Sequence, residues 1–133
     1  MQIKFPLILD GATGTELQKC GFKGDISAEQ WVLENPNSIL GIQSGYVSAG
    51  SSVLYSPSFG ANRRKLEEHG IFNQTADYNR RLAELSKKAA AGKAFVAGDM
   101  SLTGLFLSPL GEASFEELVD IYTEQAAGLA QAG

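Results

Sequence analysis

The chain is poor in the residue types that build metal centres and disulfides. It has one cysteine, Cys20, and one histidine, His69, among 133 residues. A lone cysteine excludes an internal disulfide. Zinc is ordinarily held by about four ligands, mostly Cys and His, so these two residues cannot supply such a site. Cys20 reads instead as a small apolar residue, buried or half-exposed. Positive charge is also scarce: 11 Lys and Arg stand against 15 Asp and Glu, a formal net charge of −4. That balance sets up no field for nucleic acid. The clusters Arg63-Arg64-Lys65, Arg80-Arg81 and Lys87-Lys88 read as solvated helix faces. No run approaches the ~20 apolar residues of a membrane span. The opening residues lack the apolar core of a signal peptide, since only Leu7-Ile8-Leu9 separates Pro6 from Asp10. The expectation is a cytoplasmic protein with neither nucleic acid nor a membrane as partner.

What is present is ordinary for a globular domain: 44% hydrophobic and 20% charged residues. One domain, residues 1–133, with no internal boundary, is expected. Its organising stretch is Leu7-Ile8-Leu9-Asp10-Gly11-Ala12-Thr13-Gly14-Thr15-Glu16-Leu17. A short apolar run, Leu7 to Leu9, predicts a strand covered on both faces. It stops at an acid and a glycine, and a short helix follows, Thr13 to Lys19. In α/β folds small molecules bind at such junctions, outside the carboxyl ends of parallel strands.

The pattern then repeats. Ser27 is placed to cap a short helix carrying Trp31, which Pro36 ends. Asn37 or Ser38 is expected to cap a second helix, with Ile39, Ile42 and Tyr46 on one face. Val53 to Ser56 predicts the second strand, and Arg63 to Glu68 a short helix. Ala76 to Ala91 predicts a long helix, and Ala94 to Ala97 the third strand, which again runs into glycine and acid at Gly98-Asp99. Met100 to Ala113 reads as a long loop. Ser114 and Glu117 form a capping box. The helix they open carries Phe115, Leu118, Val119, Tyr122, Ala126 and Leu129 on one apolar stripe, the strongest periodicity in the chain. Strand–helix alternation implies right-handed crossovers and a parallel sheet. Three such strands make a thin core with two unpaired edges, so a larger fold, or completion by another chain, is expected.

Five pieces in register resemble the homocysteine S-methyltransferase family. They are Asp10 to Leu17; Trp31 with Leu33-Glu34-Asn35-Pro36; Tyr46 to Gly50; Ser58 to Arg63 with Lys65-Leu66; and Gly98-Asp99 with Leu102-Thr103-Gly104, continuing through Leu110-Gly111-Glu112 into Phe115 to Leu118. The nearest likeness is to the homocysteine-binding barrel of the cobalamin-dependent members. The resemblance implies an α/β fold made of the first three β/α units of a (β/α)8 barrel, a fold that takes about 250 residues when complete. It implies methyl transfer to the thiolate of homocysteine. In the family a zinc ion held by three cysteines activates the thiol; those cysteines lie in later strands, so none is in this chain and it is expected to be inactive alone. Cobalamin and methyltetrahydrofolate are implied through other modules, although methylmethionine-type donors use the same barrel.

The resemblance also assigns residues. Asp10 would hold the substrate ammonium, and the backbone N–H groups of Gly11, Ala12 and Thr13 would meet the carboxylate. Ser58 and Asn62 follow strand two on the same face and are candidates for substrate contact, with Asn62 also suited to ordering its loop through side chain–backbone bonds. The sequence departs from the cobalamin-dependent pattern at Tyr55-Ser56-Pro57-Ser58, and Ala12 stands where many members have glycine. Asp99 and Ser101 are expected to order the loop after strand three, and Trp31 and Tyr46 to pack the core. Expected partners are homocysteine and either the remainder of the barrel or a second copy of the chain. The alternative is a non-catalytic half-barrel that self-associates or binds a partner.

Overall fold

The computed structural model describes residues 5–133. The first helix, α1, spans Gly14–Lys19, with Glu16 in its first turn and Lys19 in its last, each complementing the helix dipole. α2 spans Ala28–Glu34 and is capped as expected: the Ser27 hydroxyl accepts from the Gln30 N–H at 3.0 Å. α3, Pro36–Ser48, begins one residue later than α2's C-cap, because Asn35 closes one helix and opens the next. Pro36 therefore starts a helix as well as ending one. It stands at the first helical position, where its missing N–H has no partner to lose. Asn37 and Ser38 lie inside α3 and cap nothing.

β1 is Val53–Tyr55, α4 is Arg63–Glu68, α5 is Thr75–Ala90, β2 is Phe95–Ala97 and α6 is Phe115–Ala130. β1 and β2 pair in parallel, Val53 opposite Phe95 and Tyr55 opposite Ala97. Leu7 to Leu9 does not form a strand of its own. Leu9 makes one isolated parallel bridge to Val53, supported by hydrogen bonds from Ser52 and Val53 N–H to the Ile8 carbonyl. Proline at position 6 and the break at Asp10 leave too short a run to extend the ladder.

Helices cover one side of this open sheet. Leu54 is fully buried with Ala89, Ala90 and Ala94, and Leu40, Tyr46 and Val47 of α3 pack against that group. A second cluster joins Leu17, Val32, Ile39, Ala61 and Leu82. The other side is only partly covered: Val53 is buried, but Leu9 is 48% and Tyr55 39% exposed. Parallel sheets are normally covered on both faces.

α6 has the predicted period but presents a different face to its own chain. Ile121, Gln125 and Gly128 are the buried positions. Gly128 is small enough to let the two helices approach closely: a Cβ there would lie 2.7 Å from both Cα and O of Ala76 in α5. Phe115 is 66% and Val119 44% exposed, and with Met100, Leu107 and Tyr122 they line an open apolar groove. The hydrophobic stripe read from the sequence is therefore a second face, offset from the one α5 covers.

Candidate functional site

All three parallel segments end in residues that line one cavity of about 380 Å³. Asp10 follows Leu9, Tyr55 and Ser56 end β1, and Asp99 follows β2 after one glycine. Gly11, Thr13, Gly14 and Leu17 form one wall; Ala28, Glu29 and Val32 of α2 form another; Pro57 and Phe59 form the lip. The walls are largely apolar, and the charged side chains among the lining residues are the carboxylates of Asp10, Glu29 and Asp99. A few placed polar groups in an apolar cleft are the general form of a small-molecule site.

Each carboxylate is held differently. Asp10 Oδ2 accepts from the Tyr55 N–H at 3.1 Å, which ties the loop to the end of β1. Burial pushes the Asp10 carboxyl above its usual range; the N–H bonds from Tyr55 and from its own backbone oppose this, and the charge of Asp99 adds to it. Asp99 is also raised by burial, with the Met100 N–H opposing. The Asp99 backbone is pinned by two serines: its N–H donates to Ser56 Oγ at 3.2 Å, and Ser58 Oγ donates to its carbonyl at 2.8 Å. Glu29 is buried, and its Oε1 accepts from the Gly60 N–H at 2.7 Å. A Cβ on Gly60 would lie 2.7 Å from that oxygen, so a side chain there would have to displace the Glu29 carboxylate.

Of the residues singled out in the sequence, Asp10, Gly11 and Thr13 reach the cavity. The Ala12 carbonyl is turned to Tyr46, whose hydroxyl donates to it at 2.7 Å. Ser58 and Asn62 are fully buried and do not line the cavity. Ser58 bonds Asp99 and Ser56, and Asn62 caps α4 by accepting from the Lys65 N–H at 3.0 Å. Ser58 is reached from behind by a buried network: Gln125 Nε2 donates to the Ser58 carbonyl at 2.9 Å and to Asn79 Oδ1, and Asn79 Nδ2 donates to the carbonyls of Ala61 and Thr75. Asp99 lines the cavity as well as shaping its loop, whereas Ser101 has only the loop role: its N–H bonds the Phe59 carbonyl. Glu29 and Gln43 were not singled out for chemistry. Gln43 is fully buried and donates to the Tyr55 carbonyl at 2.7 Å. The available signal was a polar residue four positions from Ile39 on an otherwise apolar helix face.

Cys20 is exposed, contrary to the expectation of a buried or half-exposed residue, because it ends α1 on the solvent side. Among the described residues no group of three or more His, Cys, Asp and Glu is placed to hold a metal ion. The donor set of these residues does not fit zinc, and no step through a metal is assigned to them. Among the described residues no helix is long and apolar enough to cross a membrane.

Comparison with known proteins gives a consistent picture. The methionine synthases of Mycobacterium leprae and Mycobacterium tuberculosis are each 27% identical over 139 aligned residues. Those alignments cover 96% of this chain but only 11% and 12% of the relatives. Among solved structures, the metallated form of the homocysteine methyltransferase MmuM from Escherichia coli superposes with a TM-score of 0.81 at 25% identity, covering 96% of this chain and 51% of that one. Its oxidised form gives 0.78 at 24% identity, covering 50% of that chain. The open two-stranded sheet with its helices thus matches part of a homocysteine methyltransferase barrel. The profile of the homocysteine S-methyltransferase family matches residues 7–133, and the chain belongs to that family.

Proposed function

We propose that this chain forms the amino-acid-holding part of a zinc-dependent homocysteine S-methyltransferase, corresponding to the first three β/α units of the barrel. The observation that carries the reading is the convergence of Asp10, Tyr55–Ser56 and Asp99 on one cavity at the ends of three parallel segments. Asp10 accepts the substrate ammonium, with Asp99 close enough to raise its pKa. Gly11, Ala12 and Thr13 approach the carboxylate with backbone N–H groups, and the apolar wall of Leu17, Val32 and Phe59 takes the methylene chain. Ser58 and Asn62 shape the cavity from within the wall. Zinc, when bound to the complete barrel, supplies thiol deprotonation; its ligands come from residues beyond this chain, which is inactive alone. The likeness to methionine synthases favours methylcobalamin as methyl donor, charged from methyltetrahydrofolate by other modules, in the cytoplasm.

The test is a titration of the 15N-labelled chain with L-homocysteine. The amide signals of Gly11, Thr13 and Asp99 are expected to shift together and saturate in the millimolar range or below. An unchanged spectrum at saturating ligand refutes the reading.

A second reading is favoured by one observation, the exposed Leu9 and Tyr55 of the sheet together with the exposed Phe115 and Val119 of α6. A half-barrel of this kind covers those surfaces against a second copy or a partner chain. Light scattering of the purified chain is expected to give a mass that rises with concentration; a constant monomer mass across the micromolar range removes this reading.

A further inference from the structure

We infer that Tyr46 is a positioning residue for the loop that carries Asp10, and that Gly11 is glycine in order to admit its ring. The inference rests on the proposal that this loop holds the amino acid. Glycine at a ligand-facing turn is usually explained by a left-handed backbone or by close approach of the ligand. The first does not apply to Gly11, and the Tyr46 ring supplies a reason besides the second. It is absent from the glycines with positive φ. The three atoms nearest to a Cβ built on it are Tyr46 Cε1, Cζ and Oη, at 2.8, 2.9 and 2.9 Å. Within the chain, the space a side chain at position 11 would need is thus taken by the Tyr46 ring.

Tyr46 comes from α3, where it packs with Leu40 and Val47 against the group around Leu54 of β1. Its hydroxyl donates to the Ala12 carbonyl at 2.7 Å. The loop needs such an external brace. α1 is a six-residue helix, Thr13 at its N-cap makes no side-chain capping bond, and helices this short do not hold themselves in water. Asp10 is tied at one end of the loop to the Tyr55 N–H, and Tyr46 fixes the middle from the opposite element. Together they set where the free oxygen of Asp10 and the N–H groups of residues 11–13 point.

The experiment is a double-mutant cycle on the chain, reading L-homocysteine affinity by NMR titration and stability by urea midpoint. Tyr46→Phe keeps the ring and removes only the hydroxyl; it is expected to weaken binding by up to about tenfold, the range of one hydrogen bond, with little change in midpoint. Equal affinity in wild type and Tyr46→Phe overturns the brace. Gly11→Ala is expected to weaken binding at least as much in the wild-type background and to have little further effect when combined with Tyr46→Ala, where the ring is gone. A Gly11→Ala loss that is the same in both backgrounds assigns the glycine to ligand approach and overturns the inference. If wild type shows no binding, the proposed function fails, and the same cycle read in urea midpoints still decides the contact: coupling between positions 11 and 46 supports it and additivity overturns it.

Discussion

Asp10→Asn is expected to reduce homocysteine affinity by about 10- to 100-fold, the range of a charge-assisted hydrogen bond, while leaving the folded chain at least as stable at neutral pH. The second half of this expectation follows from linkage. Burial, chiefly, pushes the Asp10 carboxyl above its ordinary range in the folded chain. A carboxyl raised on folding holds its proton more tightly in the folded state than in the unfolded one. Its charged form therefore opposes folding, fully so above the folded pKa and not at all below the unfolded value. Asparagine removes that charge and can still accept from the Tyr55 N–H. The urea midpoint of Asp10→Asn should equal or exceed that of wild type at pH 7, and the gap should close as the pH falls towards 4. A variant that is less stable at pH 7 and binds homocysteine normally would make Asp10 a structural aspartate. Binding groups kept at the expense of stability are a common property of functional sites.

The largest effect on stability is expected at Asn79, which no ion pair touches. Its Nδ2 donates to the Ala61 and Thr75 carbonyls at 2.7 Å each, and its Oδ1 accepts from Gln125. Asn79 and Gln125 are both 0% exposed. Asn79→Ala leaves the Ala61 carbonyl without its side-chain donor and the Gln125 amide with one partner fewer, in a space water does not reach. Each unsatisfied buried group costs about 1–3 kcal/mol, so the substitution should lower stability by about 2–4 kcal/mol, seen as a lower urea midpoint at unchanged slope. Arg80 offers the comparison. It pairs with Asp77 at 2.5 Å and Glu84 at 2.8 Å, and Asp77 is held below the usual carboxylate range by Arg80. These pairs are on the surface, where such contacts contribute about 0–1 kcal/mol. Arg80→Ala should therefore matter less than Asn79→Ala; the reverse order would mean that the buried network is already loosened in solution.

Much of this architecture could be read in advance because it rests on local chemistry. Ser27, Asn62 and Ser114 each bond an N–H three residues on, and the helices over 63–68 and 115–130 follow from those caps and from period. The acids at the ends of the parallel segments were visible as Asp-Gly and Gly-Asp next to apolar runs, and the family resemblance rested on them. The misreadings concern what local sequence does not carry. Pro36 can end or begin a helix, and only the position of Asn35 decides. An apolar stripe says that a face seeks cover, not which neighbour covers it, so the burial of Gln125 and Gly128 in α6 was not legible. Ser58 and Asn62 follow a strand on the cavity side in sequence, but both turn inward because backbone groups there need partners. Glu29 is distant in sequence from Gly60 and became a wall residue only when α2 folded over that loop.

Tyr55 gives the cavity a gauge. The two backbone groups of this one residue are taken by side chains from two different parts of the chain: its N–H by Asp10 and its carbonyl by Gln43 of α3. The proton on that nitrogen is held by the same carboxylate proposed to meet the substrate, so its rate of solvent exchange is a direct measure of how firmly Asp10 stays on β1. A ligand that draws the carboxylate outward speeds exchange at Tyr55, and one that settles the loop slows it.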